Sequence, residues 1–393
     1  MFDWTLEEGQ MKNITKVIMG FTLVFAMTVG MYSLTWSADS KVIKIGYTAP
    51  FTGAAAEFGT NGWRGIQLAL EDVNKKGIKI KGETYKIDII RYDSICTPTE
   101  GVANMRKFAM EDKVVAVLGD HCSSVCTAIA PLCDEYKTPG LTIECAADKV
   151  TKPGNEFYFR MRPSMSLMAP LAAPKIAKKF KPKKIGFLLV NDDYGHSFTN
   201  AFKEEFKKLG VPTVAEEVFE RGNTDFMVYL TKIKNAKVDM VLYVGVTPEG
   251  AMILKQAKEL GITKSAAFIG SEEMGDMELL SLAGASVVEG TYGIALWGAV
   301  PAAFEKRVKD KFNAPMHYAI IFGYDALQVV AKAIESAQSL DSVKIKDAMK
   351  KIDYQGYEGH IKFENFDGFK NQGRFVPSIV QWSKGKRLVV EVK

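Results

Sequence analysis

From Val42 onward the chain alternates short apolar runs rich in β-branched residues with longer segments whose apolar residues recur at helical spacing. This alternation constrains the fold strongly. A strand that is followed by a helix must cross over before it pairs again, which builds a parallel sheet covered by helices. The first series has expected strands at 42–48, 85–92, 114–118 and 140–143, with helices at 59–74, 97–111 and 124–136. A second series follows Pro163 and Pro170, with strands at 184–190, 211–218, 240–245 and 267–270 and helices at 194–209, 226–235 and 248–260. One open sheet holding all of these would carry more strands than twisted sheets usually do. The expected class is therefore α/β, as two Rossmann-like lobes, each a parallel sheet flanked by helices.

The tail adds expected helices at 301–311, 317–337 and 342–349 and strands at 359–363 and 378–383. If each lobe takes some of these, the chain crosses between lobes several times and makes a multi-segment hinge. The expected division is 41–161 plus 293–356 for the first lobe and 162–292 plus 357–393 for the second.

The N-terminal stretch follows another pattern. Lys12 and Lys16 precede an apolar run from Val17 to Met31, and Thr35-Trp36-Ser37 sets small residues where a signal peptidase reads. Residues 1–37 thus read as a secretory signal, cleaved after Ser37 in preference to Ala38. Asp3, Glu7 and Glu8 are out of place in a basic leader start, so translation is expected from Met11. The run of about fifteen residues is shorter than the roughly twenty that span a bilayer. No cysteine follows it, which excludes a lipoprotein anchor there. The expected location is the periplasm or its equivalent.

All five cysteines (Cys96, Cys122, Cys126, Cys133 and Cys145) fall in one stretch of a chain read as exported, so at least one disulfide is expected. The odd number leaves a thiol over. His121 beside Cys122 lacks the paired Cys-x-x-Cys of a zinc site, and no metal is expected. A net charge of +5, spread without dense basic tracts, argues against a nucleic-acid partner. Neither a Walker-type nor a dinucleotide-type glycine pattern occurs, so no cofactor is expected.

In open α/β sheets ligands bind beyond the carboxyl ends of the strands, where helix starts present free N–H groups. Three strand-to-helix turns stand out. Pro50 to Gly59 carries Phe58; Gly119 to Ser124 places Ser123 at an N-cap position; Gly270-Ser271-Glu272-Glu273 sets two acids after an apolar strand. Each also has a plain structural reading, as a glycine turn, a helix cap and a solvated acid pair. A hydrolase built on Cys122 or Ser123 with His121 is disfavoured, because neighbours in one turn rarely face each other and no third orienting group is identifiable.

Taken in order, Ile45-Gly46, Pro50-x-x-Gly53, Phe58-Gly59, Gly65 to Asn74, Tyr92-Asp93 with Cys96, Gly119 through Ser123, Asp192 through Gly195, Pro248-Glu249 and Gly270-x-Glu272 resemble the leucine/isoleucine/valine-binding family of periplasmic binding proteins. The resemblance covers nearly the whole mature chain. It implies two hinged lobes that close on a small ligand without chemistry, so the chain is not expected to be an enzyme. It implies that Ser123 binds the ligand carboxylate, that Glu272 receives its ammonium, and that Tyr194 and Phe58 line the cleft. It also implies a Cys96–Cys122 disulfide. The sequence departs from the family at Glu144-Cys145-Ala146-Ala147, where a threonine is usual: Ala147 lacks the hydroxyl, although backbone N–H groups around Cys145 and Ala147 remain to serve the ligand.

The function these features suggest is that of a monomeric solute-binding component of an ABC importer, which takes a small branched-chain or other apolar amino acid to a membrane permease. The alternatives are the same fold binding an aromatic or other small organic acid, an amide or urea, and a ligand-sensing module.

Overall fold

The computed structural model describes residues 41–296, 300–374 and 376–390. The expected signal segment, its cleavage site and the Met11 start lie outside the described residues.

The strands, in chain order, are β1 Lys41–Ala49, β2 Ile78–Ile80, β3 Glu83–Asp93, β4 Val117–Leu118, β5 Gly140–Thr142, β6 Tyr158–Arg160, β7 Ile185–Val190, β8 Thr213–Phe219, β9 Met240–Val244, β10 Ala267–Gly270, β11 Tyr292–Ala295, β12 Asp353–Gln355, β13 His360–Lys362, β14 Glu364–Phe366, β15 Phe369–Gln372, β16 Ser378–Ser383 and β17 Lys386–Val390. One sheet runs β14-β15-β6-β5-β4-β1-β3-β2 and a second runs β17-β16-β11-β10-β9-β7-β8. The central pairs β1–β4, β4–β5 and β5–β6 are parallel, as are β7–β8, β7–β9, β9–β10 and β10–β11. Antiparallel hairpins close three of the four sheet edges, β8 alone being a parallel edge strand. Two α/β lobes result, as the doubled rhythm predicted.

The sheet pairing moves two of the expected lobe boundaries. Tyr292–Ala295 pairs with β10 and β16 and so belongs to the second sheet, although residues from 293 were expected in the first lobe. Glu364–Gln372 joins β6 in the first sheet, although 357–393 was expected in the second lobe. The chain therefore passes between sheets after β6, after β11 and after β15.

Two of the helices that cover the first sheet come from distant parts of the chain. Helix Ala56–Lys76 packs on helix Tyr318–Ala337 through glycines, because a Cβ on Gly65 would stand 2.0 Å from the Ile320 carbonyl oxygen and one on Gly323 would stand 2.3 Å from that of Gly62. Only glycine allows the backbones so close. Helix Met165–Phe180 carries Pro170 and Pro174 inside it, which hid it from the sequence reading. The two prolines lie one turn apart on the same face, so the helix tolerates the lost N–H groups along a single stripe. Among the described residues no helix is long and apolar enough to cross a membrane.

Candidate functional site

The carboxyl ends of the two sheets face a common cavity with about 370 Å³ of space not filled by atoms, part of it open to solvent. Its wall includes Phe58, His121, Cys122, Ser123, Glu144 and Tyr318 from the first lobe, Arg162 from the crossover after β6, and Asp192, Tyr194, Arg221 and Glu273 from the second. Every second-lobe residue follows a strand end: Asp192 and Tyr194 follow β7, Arg221 follows β8 and Glu273 follows β10.

On the first-lobe side, Ser123 begins the helix Ser123–Glu135. Its hydroxyl oxygen accepts the N–H groups of Ala146 (3.1 Å) and Ala147 (3.2 Å). With both lone pairs engaged, the hydroxyl proton is left to donate into the cavity. Behind it, Asp120 is buried and its Oδ1 accepts the N–H groups of His121 (2.7 Å) and Cys122 (2.9 Å), which holds the turn. His121 meets Tyr47 Oη through Nε2 at 2.7 Å and faces Glu144 Oε2 through Nδ1 at 3.3 Å. Glu144 Oε1 is buried without a hydrogen-bond partner among the described residues.

On the opposite side, Arg162 and Glu272 form an ion pair at 2.5 Å, with side chains 3% and 1% exposed. Tyr194 Oη lies 2.9 Å from both Glu272 Oε2 and Glu273 Oε1. Ser271 also bonds Glu273. Burial, and then the neighbouring Glu272, push the Glu273 carboxyl up to about 8, so it is mostly protonated at neutral pH. Asp192 caps helix Asp193–Lys208 through the Gly195 N–H (2.9 Å) and pairs with Arg221.

The rim joins the lobes directly. Glu57, on the first helix, accepts the N–H of Thr247 at the start of helix Thr247–Glu259 in the second lobe (2.9 Å). Asp276 accepts the Tyr318 N–H at 3.0 Å. Burial pushes the Asp276 carboxyl up to about 7 and also raises Glu57, where nearby Glu278 adds to the effect. Glu57, Glu278 and His317 bring ligand-type atoms within 4.8 Å of one another. They fit a metal poorly, because His317 Nδ1 accepts the Ala319 N–H (3.0 Å) and so leaves the ring proton on Nε2, the atom that faces the acids.

Of the residues singled out in the sequence, Ser123, Tyr194 and Phe58 line the cavity. Glu272 does not: both its oxygens are taken, by Arg162 and Tyr194, and Glu273 holds the wall instead. Ala147 gives its N–H to Ser123 and its carbonyl to Arg160, so that N–H is not free for a ligand in this arrangement. Cys145 is set back from the wall in a disulfide with Cys126, and Cys96 is bonded to Cys122; Cys133 is a buried free thiol. Glu144, Arg162 and Arg221 were missed, although each follows a strand end and that position was the available signal.

Residues 42–386 match the family model described as "Periplasmic binding protein". The chain belongs to the periplasmic binding protein family. Among its relatives, the leucine-, isoleucine-, valine-, threonine- and alanine-binding protein of Pseudomonas aeruginosa is 30% identical over 92% of this chain and 95% of its own length. The Leu/Ile/Val-binding protein of Escherichia coli K12 is 30% identical over 65% of this chain and 68% of its own. Among solved structures, this periplasmic binding protein is similar to the branched-chain amino acid transporter substrate-binding protein of Streptococcus pneumoniae in complex with isoleucine, at TM-score 0.79 and 25% identity over 89% of this chain and 99% of that one. A Rhodopseudomonas palustris ABC transporter solute-binding protein in complex with benzoate shares the fold, at TM-score 0.77 and 18% identity over 89% of this chain and 95% of that one.

Proposed function

We propose that this periplasmic binding protein is the extracytoplasmic solute-binding component of an ABC importer and that it closes on a small α-amino acid. The observation that carries the reading is the Ser123 hydroxyl on the wall of an interlobe cavity, whose oxygen accepts two backbone N–H groups and so keeps its own proton available to donate. The ligand carboxylate takes that proton together with the free N–H groups of the helix start. The ammonium goes to Glu144, and Phe58 packs against the ligand. Glu272 contributes by fixing Arg162 and Tyr194. The named amino-acid-binding relatives support the substrate class. Residues 1–37 act as the secretory signal and the monomer hands its load to a permease.

A ligand held by Ser123 and Glu144 on the first lobe also meets Tyr194 on the second-lobe wall, and that contact draws the lobes closed. Each charge-assisted hydrogen bond contributes about 1.5–3 kcal/mol, enough to select the closed form when several act together. The test is a thermal-shift screen of the protein without residues 1–37 against amino acids, aromatic acids, amides and sugars. An amino acid is expected to raise the Tm, and Ser123→Ala to reduce that shift sharply. A shift with aromatic acids or urea alone, or one unchanged in the Ser123 variant, would refute the reading.

A further inference from the structure

The cavity wall is almost fully self-satisfied, and the few groups left over describe what must fill it. Asp192 has both oxygens engaged, one by the Gly195 N–H and one by Arg221. Glu272 is held by Arg162 and Tyr194, and Glu273 by Tyr194 and Ser271. Arg221 is fixed by Asp192 through Nη2, while its Nη1 is enclosed and has no hydrogen-bond partner among the described residues. Glu249, the other acid near that guanidinium, spends its oxygens on the N–H groups of Gly222 (2.7 Å) and Val246 (3.0 Å). Glu144, only 6% exposed, leaves Oε1 unpartnered. Among the described residues the wall therefore offers two donors, Ser123 Oγ–H and Arg221 Nη1–H, and one acceptor, Glu144 Oε1, besides His121 Nδ1, which has no hydrogen-bond partner but faces Glu144 Oε2 at 3.3 Å.

An α-amino acid supplies a carboxylate for the first donor and an ammonium for the acceptor. The second donor remains. An aliphatic side chain would seal Arg221 Nη1 in the closed cleft without a partner, and six of the eleven wall residues named above are ionisable acids, arginines or histidine rather than aliphatic groups. We propose that the ligand is a short α-amino acid whose side chain ends in a hydrogen-bond acceptor, a carboxamide or a carboxylate, which Arg221 receives. This rests on the amino-acid reading above and narrows it. Arg221 is then the specificity-determining residue of the second lobe, already aimed by Asp192 before the ligand arrives.

Calorimetric titration of the protein freed of bound ligand, with glutamine, asparagine, glutamate, aspartate, alanine, leucine and isoleucine, tests this directly. At least one acceptor-ended amino acid is expected to bind ten-fold or more tightly than leucine and isoleucine, and the amide and acid arms tell which acceptor is taken. Arg221→Met is expected to bring that ratio within about three-fold. Should the variant fold poorly, the wild-type ranking decides alone. Tighter binding of leucine or isoleucine overturns the inference and leaves the amino-acid reading standing. Binding of no amino acid overturns that reading and the inference with it.

Discussion

Removing one partner of the Arg162–Glu272 pair should harm this protein far more than removing both. The two side chains are 3% and 1% exposed and their charged atoms are 2.5 Å apart. In Arg162→Met, the Glu272 carboxylate keeps the Tyr194 hydroxyl and loses its charge partner. In Glu272→Met, the guanidinium keeps the carbonyls of Glu144 and Pro163 alone. An uncompensated charge at such depth costs about 3–5 kcal/mol, whereas replacing a buried pair by apolar groups of similar volume is often neutral. Each single variant should therefore lose on the order of 10 °C in Tm, with the double variant nearer to wild type than either. The cycle is read by thermal denaturation of the ligand-free protein, with the coupling taken as the double variant's departure from the sum of the singles. Additive losses, or single losses below about 1 kcal/mol, would refute a buried, mutually dependent pair.

Three further outcomes follow from the same geometry. Asp276, Glu273 and Glu57 hold raised carboxyl values where the lobes meet, so closing the cleft takes up protons and ligand affinity should fall as pH rises through about 7 to 8; calorimetry in buffers of different ionisation enthalpy would show that uptake, and affinity rising over that range would contradict it. The Cys96–Cys122 and Cys126–Cys145 bonds close loops of 26 and 19 residues in sequence, so converting either pair to serine should cost about 3 kcal/mol in urea denaturation. Gly65→Ala should force apart the helices that meet at Ile320 and lower stability by about 1–3 kcal/mol, measured the same way, with no change in ligand preference because Gly65 is not on the cavity wall.

Much of this protein is written in local pattern. Alternating strand and helix periods set the α/β class, and their repetition set two lobes, because period and turn chemistry act over a few residues and need no distant partner. Ser123 was legible for the same reason: a small hydroxyl residue after an apolar strand and before a helical run marks a helix start at a sheet's carboxyl end. The prolines of helix Met165–Phe180 obeyed local rules in appearance only, since tertiary packing kept helical a stretch that looked broken.

What the tertiary structure alone decided is pairing. Arg162 and Glu272 are 110 residues apart, and their meeting engages Glu272 with Arg162 while Glu273 lines the cavity wall. Cys126 took Cys145, and Glu144 and Arg221 acquired meaning only when two separate sheets brought their carboxyl ends to one cavity. A sequence records which groups a chain carries and the period at which they recur. Which of them remain unsatisfied depends on distances across the folded chain.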